Sequence, residues 1–380
     1  MIDQRVMPKN AWLDLLRCVA IILVLLRHGC RALNAQGMEY PPFIQNLMIN
    51  GWIGVDLFFV LSGYLIGCSL ADLQQKNTKA SLIVFFRKRA YRILPAYYTV
   101  LILSVLFIVM REPVGLDNVS WRLLYHMLMM QDYFPANINV VFWSLGVEAK
   151  FYLIAPLLFA GMLTSKRLFL AISLIFLFLS PVLRGIIFFL AGQPDTYTEF
   201  WPLLRSPLHA CIEPLILGLV LSVLHQSGRL KVSKRLAMGL FYSSLLILSV
   251  WMMRYDFMKE ITIFDAMLQP FLIAVLVSMS VAGAVVLNDV TLKGAALFAW
   301  GARLSYAAYL VHFPLIRPLT NLILADPGAA TAYFWVWYLA LTILLAWLLN
   351  EVVEKPFQRI GKQVSHSHTY AKNDELRFVS

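Results

Sequence analysis

Ionisable groups recur inside the most apolar stretches of this chain. Residues 12–29, WLDLLRCVAIILVLLRHG, carry Asp14, Arg17, Arg27 and His28 in a run long enough to enter a bilayer. At about 100° and 1.5 Å per residue, Arg17 to His28 is eleven steps, three turns to within about 20°. Asp14 lies one turn before Arg17, so these three side chains share one stripe, and Arg27 leaves it. Charged groups at membrane depth cost on the order of 3 kcal/mol each and face a bundle interior or a wet cavity. The stripe therefore predicts a helix with a chemical face and a lipid face. Its alternative is structural, with Asp14 neutralising Arg17 near one membrane face and His28 in the opposite headgroup layer.

Three further stretches carry such groups. GWIGVDLFFVLSGYLIG, residues 51–67, holds Asp56 and Ser62 among Gly51, Gly54, Gly63 and Gly67, glycines whose spacing predicts close backbone packing. FWSLGVEAKFYLIAP, from residue 142, holds Ser144, Glu148 and Lys150. Here a salt bridge to Lys150 or Arg27 is the structural alternative to a functional carboxylate. In the ninth apolar segment, Tyr306, Tyr309 and His312 follow at steps of three. FFRKRAYRILPAYY supplies Arg87, Lys88, Arg89 and Arg92, the last two on one helical face. Guanidinium forks bind phosphate bidentately, so this cluster is either a phosphate anchor or a basic flank against anionic lipid.

These segments must be positioned by a membrane bundle. The 380 residues are 60% hydrophobic and 14% charged, with a mean hydropathy of +0.71. That composition excludes a soluble globular domain. Segments near the spanning length fall at about 11–30, 51–70, 93–110, 139–161, 167–190, 208–225, 236–254, 264–287, 298–320 and 333–353. The expected fold is an all-α integral membrane bundle of about ten transmembrane helices. Of the 32 Lys and Arg, twenty fall on the side of the N-terminus, seven on the other and five within or at the ends of spans. By the positive-inside rule both termini are cytoplasmic. The net charge of +11 is then mostly a topology signal, and a nucleic-acid surface has no soluble domain to live on.

The first helix has no small-residue cleavage site after it and is read as a start helix that stays. Cys18, Cys30, Cys68 and Cys211 lack metal or C-x-x-C spacing and read as packing residues, with no metal set expected. The loop 111–138 predicts a short helix around residues 121–130, and His126, Asp132 and Tyr133 could line an outer entrance. Arg184, His209 and Glu213 read as helix ties or ligand contacts alike. Residues 1–359 are expected to form the membrane domain, and 360–380 a disordered cytoplasmic tail.

Taken in order, these motifs resemble acyltransferase family 3, integral membrane proteins that acylate extracytoplasmic acceptors. The family's arginine, ten residues, histidine pattern matches Arg17 to His28, and its second-span pattern matches Gly51 to Gly63. R-x-x-R matches Arg89 and Arg92, W-S-L-x-x-E-x-x-F-Y matches Trp143 to Tyr152, Y-x-x-Y-L-x-H matches Tyr306 to His312, and E-K-P-F matches Glu354 to Phe357. An acidic residue commonly follows the family's glutamate, and Lys150 departs from that. The resemblance implies a ten-helix domain in a bacterial inner membrane. Some members append an SGNH esterase-like domain, and with about 25 residues after its last span this chain is expected to be the stand-alone form. The resemblance also implies transfer of an acyl group, acetyl by prevalence, from cytosolic acyl-CoA to a hydroxyl of an extracytoplasmic glycan. O-antigen of lipopolysaccharide, exopolysaccharide, peptidoglycan or another lipid-linked sugar could be that acceptor, and so could a small molecule.

On this reading Arg89 and Arg92, helped by Lys88 and Arg87, grip the CoA phosphates. His28 is the general base on the acceptor hydroxyl. Glu148 or Asp56 orients its ring and stabilises the imidazolium. Arg17, fixed by Asp14, steadies the thioester arm, while Ser144, Tyr306, Tyr309 and His312 line the substrate path. Direct attack is the first choice and an acyl-enzyme the second. The competing class is a secondary transporter with an intramembrane charged pathway, and a weaker one is a non-catalytic assembly factor.

Overall fold

The computed structural model describes residues 10–74, 80–111, 116–134, 138–255, 261–323 and 330–363. They form fifteen α-helices and no strand: α1 (Ala11–Asn34), α2 (Pro42–Ile49), α3 (Ile53–Gln74), α4 (Ala80–Arg111), α5 (Leu116–Met127), α6 (Trp143–Thr164), α7 (Lys166–Leu190), α8 (Tyr197–Leu204), α9 (Leu208–Cys211), α10 (Glu213–Gln226), α11 (Lys234–Arg254), α12 (Ile263–Met267), α13 (Gln269–Val286), α14 (Ala295–Ile323) and α15 (Ala330–Leu349). The protein is an all-α integral membrane protein. Among the described residues, seven helical stretches are long and apolar enough to cross a membrane. The other three expected spans are α1 and α14, which carry arginines, and α10, which has 14 residues.

Local chemistry sets the helix starts. Asn10 accepts from the amides of Trp12 and Leu13 at the start of α1, and Ser165 and Ser233 cap α7 and α11 in the same way. The basic cluster lies within α4 rather than in a loop before it, because that helix begins at Ala80. Past α15 a π-helical turn, Asn350–Glu354, leads into helix that continues through residue 363. The remainder of the expected tail, 364–380, lies outside the described residues.

α1 packs between α3 and α14, and α3 packs along α10. The glycines make those contacts close, as their spacing predicts. A Cβ on Gly54 would lie 2.4 Å from the Ala20 carbonyl oxygen of α1, and one on Gly63 would lie 2.1 Å from that of Leu215 in α10. Gly218 answers from α10, where a Cβ would meet the Val60 carbonyl at 2.2 Å.

Two expected spans are broken, and for one reason. Segment 208–225 divides at Ile212 and segment 264–287 at Leu268. Pro214 and Pro270 follow these breaks, and a proline cannot donate to the carbonyl four residues before it. Those carbonyls belong to Ala210 and Ala266. Arg184 donates to both, from Nη1 to Ala210 at 2.7 Å and from Nε to Ala266 at 2.6 Å, and from Nη2 to Met267 at 2.8 Å. Its Nη1 also lies 2.5 Å from Glu213 Oε1, and Arg184 is fully buried. Arg184 is thus a helix tie, with its charge met inside the bundle. Removing one partner of a buried ion pair costs about 3–5 kcal/mol. Arg184→Gln should therefore collapse the yield of monodisperse protein and lower its thermal midpoint, and Arg184→Lys should rescue only part. An unchanged midpoint in Arg184→Gln would refute the role.

Candidate active site

Two cavities lie at the two ends of α3. The larger, about 870 Å³, is lined by the last turns of α1, the start of α3, segments 131–134 and 139–143, α8, and α14. Trp52, Trp143, Trp201 and Tyr197 supply aromatic wall. The smaller, about 360 Å³, is lined by the end of α3, the basic stretch of α4 and the helix that follows α15.

His28 lines the larger cavity, where its ring centroid lies 5.3 Å from that of His312 and 5.2 Å from that of Phe313. His312 is fully buried. Its Nδ1 lies 2.7 Å from the Tyr309 carbonyl and 3.2 Å from that of Ala308. A carbonyl only accepts, so Nδ1 carries a proton, which leaves Nε2 as the ring's other polar atom. Among the described residues that Nε2 has no partner.

Neither carboxylate expected beside His28 is there. Asp56 is buried in a two-pronged pair with Arg205, at 3.0 and 2.8 Å, and Arg205 sits over the rings of Trp52 and Trp143. Glu148 accepts from Ser62 and Tyr152. Ser62 follows Asp56 by six positions on α3, about 9 Å by helix rise, so Glu148 lies well toward the smaller cavity. Its expected salt-bridge partners are engaged elsewhere. Lys150 pairs with Asp132 at 2.5 Å, and Arg27 donates to the Ile49 carbonyl. Burial raises the Asp132 carboxyl above its ordinary value, and the bond from Lys150 opposes that.

Ser69, Asp72, Phe85, Lys88, Arg89, Tyr91, Arg92, Gln358 and Lys362 line the smaller cavity. Arg89 is held by Ser69 Oγ at 2.9 Å and packs over the rings of Phe85 and Tyr152. Through Tyr152, then, Glu148 connects to the basic cavity. Asp14 and Arg17 pair at 3.0 Å, as the stripe predicts.

A family model described as an acyltransferase domain matches residues 10–351. The chain belongs to that acyltransferase family. Among curated proteins it is similar to the peptidoglycan O-acetyltransferase OatA of Listeria monocytogenes, 26% identical over 92% of this chain and 56% of that protein. It is also similar to the O-acetyltransferase OatA of Staphylococcus aureus, 24% identical over 92% of this chain and 57% of that one. The chain thus spans a little over half the length of these relatives. No solved structure is significantly similar to it.

In this acyltransferase domain the expected site residues divide three ways. His28 and Tyr309 line the larger cavity with Asp132 and Tyr133, and Lys88, Arg89 and Arg92 line the smaller. Arg87 lines neither. Ser144, Tyr306 and Tyr309 tie helices together: Ser144 bonds Tyr309 at 2.7 Å, and Tyr306 and Tyr309 donate to the carbonyls of Ile93 and Val141. His126 is buried against Tyr97, away from any entrance. Sequence reasoning missed Arg27, Arg31 and Arg205 as cavity residues. Arg31 sits one turn past His28, a spacing that could have found it.

The pairing of Asp56 assigns it to architecture. Asp56→Asn would leave Arg205 buried without its charge partner, at a cost of about 3–5 kcal/mol. We expect loss of thermal stability and of folded yield. A well-folded, fully stable Asp56→Asn protein without turnover would instead make the carboxylate a chemical group.

Proposed function

We propose that the chain is a multi-pass O-acyltransferase of the bacterial inner membrane, with both termini cytoplasmic. It moves an acyl group, acetyl first, from cytosolic acyl-CoA to a hydroxyl of an extracytoplasmic glycan. The observation that carries this reading is the pair of cavities joined by α3, a cationic one at its end and an aromatic one with a histidine at its start.

CoA is a polyanion that cannot cross a bilayer, whereas its pantetheine arm is thin and about half a bilayer long. Lys88, Arg89, Arg92 and Lys362 supply cations for the phosphates, and the aromatic cluster at Phe85 and Tyr152 holds the Arg89 fork in place. Tyr152, Glu148 and Ser62 line the way inward, and Arg17 stands beside it. In the larger cavity, tryptophan faces suit the apolar faces of sugar rings, which favours a glycan acceptor. The relatives are named for peptidoglycan, so peptidoglycan is the acceptor to test first, beside O-antigen and exopolysaccharide.

His28 takes the proton of the acceptor hydroxyl as its oxygen attacks the thioester carbonyl. The C–S bond breaks, and the imidazolium returns the proton to the departing thiolate. In the orienting place expected for a carboxylate stands the ring of His312, its Nδ1–H held by the Tyr309 carbonyl.

General bases contribute about 10²–10⁴-fold, so His28→Gln should lower acyl transfer by that factor at normal expression. Binding of acyl-CoA should persist, because the cationic cavity lies about 21 Å away by the rise of α3 from Val55 to Ser69. Most transfer retained in His28→Gln would remove it from the chemistry and leave His312 as the base.

Arg89→Ala and Arg92→Ala should each weaken acyl-CoA binding about tenfold or more, with Lys replacements recovering part. Unchanged donor affinity in both would make the cluster a basic flank. A transporter, by contrast, would release no free CoA from acyl-CoA in either the parent protein or the variants.

A further inference from the structure

The acidic and basic side chains that line the larger cavity are Arg27, His28, Arg31, Asp132 and Arg205. Two of them are neutralised from behind, Arg205 by Asp56 at 2.8 Å and Asp132 by Lys150 at 2.5 Å. That leaves Arg27 and Arg31, for which no carboxylate partner occurs among the described residues. Both guanidinium groups pack over the ring of Tyr197, at 5.1 and 5.3 Å from its centroid. Arg27 is only 3% exposed. Its Nη1 is spent on the Ile49 carbonyl, and its buried Nη2 has no hydrogen-bond partner among the described residues. Arg31 is exposed.

A buried guanidinium with no counter-charge and an unused N–H is a costly arrangement unless a ligand completes it. We propose that Arg27 and Arg31 form a subsite for an anionic substituent of the acceptor, a carboxylate or a phosphate. This rests on the reading of the larger cavity as the acceptor site. His28 and Arg31 are three positions apart on α1, so they share a face and differ by about 4.5 Å along the axis. The anion is therefore held one helical turn beyond the reacting hydroxyl. That offset is about the width of one sugar ring, which places the charge on the acylated ring itself or on the atom that joins it to its neighbour. Planar forks suit both oxyanions, and the tyrosine ring beneath them limits their rotation. Neutral sugars would leave both forks empty.

The test uses the full chain in lipid nanodiscs, with emission from the cavity tryptophans as the signal. It is titrated with N-acetylglucosamine, N-acetylmuramic acid and N-acetylglucosamine 1-phosphate. At least one acid should bind ten times more tightly than the neutral sugar. Preference for muramic acid assigns a carboxylate, and preference for the 1-phosphate assigns a phosphate. Arg31→Gln, a change at an exposed position, should bring the acid-to-neutral ratio to within about twofold of one, and Arg31→Lys should keep part of it. Equal affinity for all three sugars, no binding of any, or a ratio intact in Arg31→Gln would overturn the proposal. Acyl-CoA turnover on the same samples separates the two readings. Turnover without acid preference removes the subsite alone, and acid preference without turnover removes the acyltransferase reading alone.

Discussion

One guanidinium group holds two broken helices in register. Prolines 214 and 270 each strip a carbonyl of its helical donor inside a membrane, where no water can replace it. Arg184 fills both vacancies from α7, and Glu213 balances its charge. The consequence extends to the site. The break before α10 frees the segment from Arg205 to Cys211 to turn across the bundle, and Arg205 from that turn reaches Asp56 at the start of α3. The wall of the larger cavity at Trp52 and Trp143 is built over that second pair.

A pattern follows in how the bundle treats its carboxylates. Asp14 has Arg17, Asp56 has Arg205, Asp132 has Lys150 and Glu213 has Arg184. Glu148 and Asp265 are held instead by neutral donors, the first by the hydroxyls of Ser62 and Tyr152 and the second by Tyr255, Thr262 and Gln269. Hydrogen bonds from such groups satisfy a carboxylate without supplying a counter-charge. The histidine pair is held differently, with one ring fixed by backbone and the other facing the cavity.

The helices were legible because their lengths and apolar content follow from the bilayer, and the stripe on α1 was legible because 3.6 residues per turn is a fixed rule. Glycine spacing likewise foretold backbone contact. Depth was misjudged where the sequence offers no ruler. Asp56 and Glu148 looked level with His28, yet α3 starts with its capping region at the cavity and carries Ser62, the partner of Glu148, two turns further on. Pair identity was illegible for the same reason: Lys150 lies two positions from Glu148 and binds a loop aspartate instead. The proline breaks were readable in principle, whereas their repair by an arginine from another helix was not. The functional arginines of the cavity hid beside His28 because one of them, Arg27, falls off the stripe that drew attention.

The two cavities have an electrical consequence. They come within about 21 Å of one another along α3, from Val55 to Ser69, while the hydrocarbon of a bilayer is about 30 Å thick. A membrane potential that drops over that shorter wall produces roughly 1.4 times the field found in undisturbed lipid. A neutral acyl group, in the proposed reaction, would cross this wall without electrical work. A proton crossing it would do about 2.3 kcal/mol of work per 100 mV, so a leak here would drain the cell's energy store. The wall contains Tyr306 and Tyr309, whose hydroxyls are tied to the carbonyls of Ile93 and Val141. Hydroxyls anchored to backbone cannot rotate freely to hand protons along. The same two bonds that brace the helices thus make the thin wall an insulator.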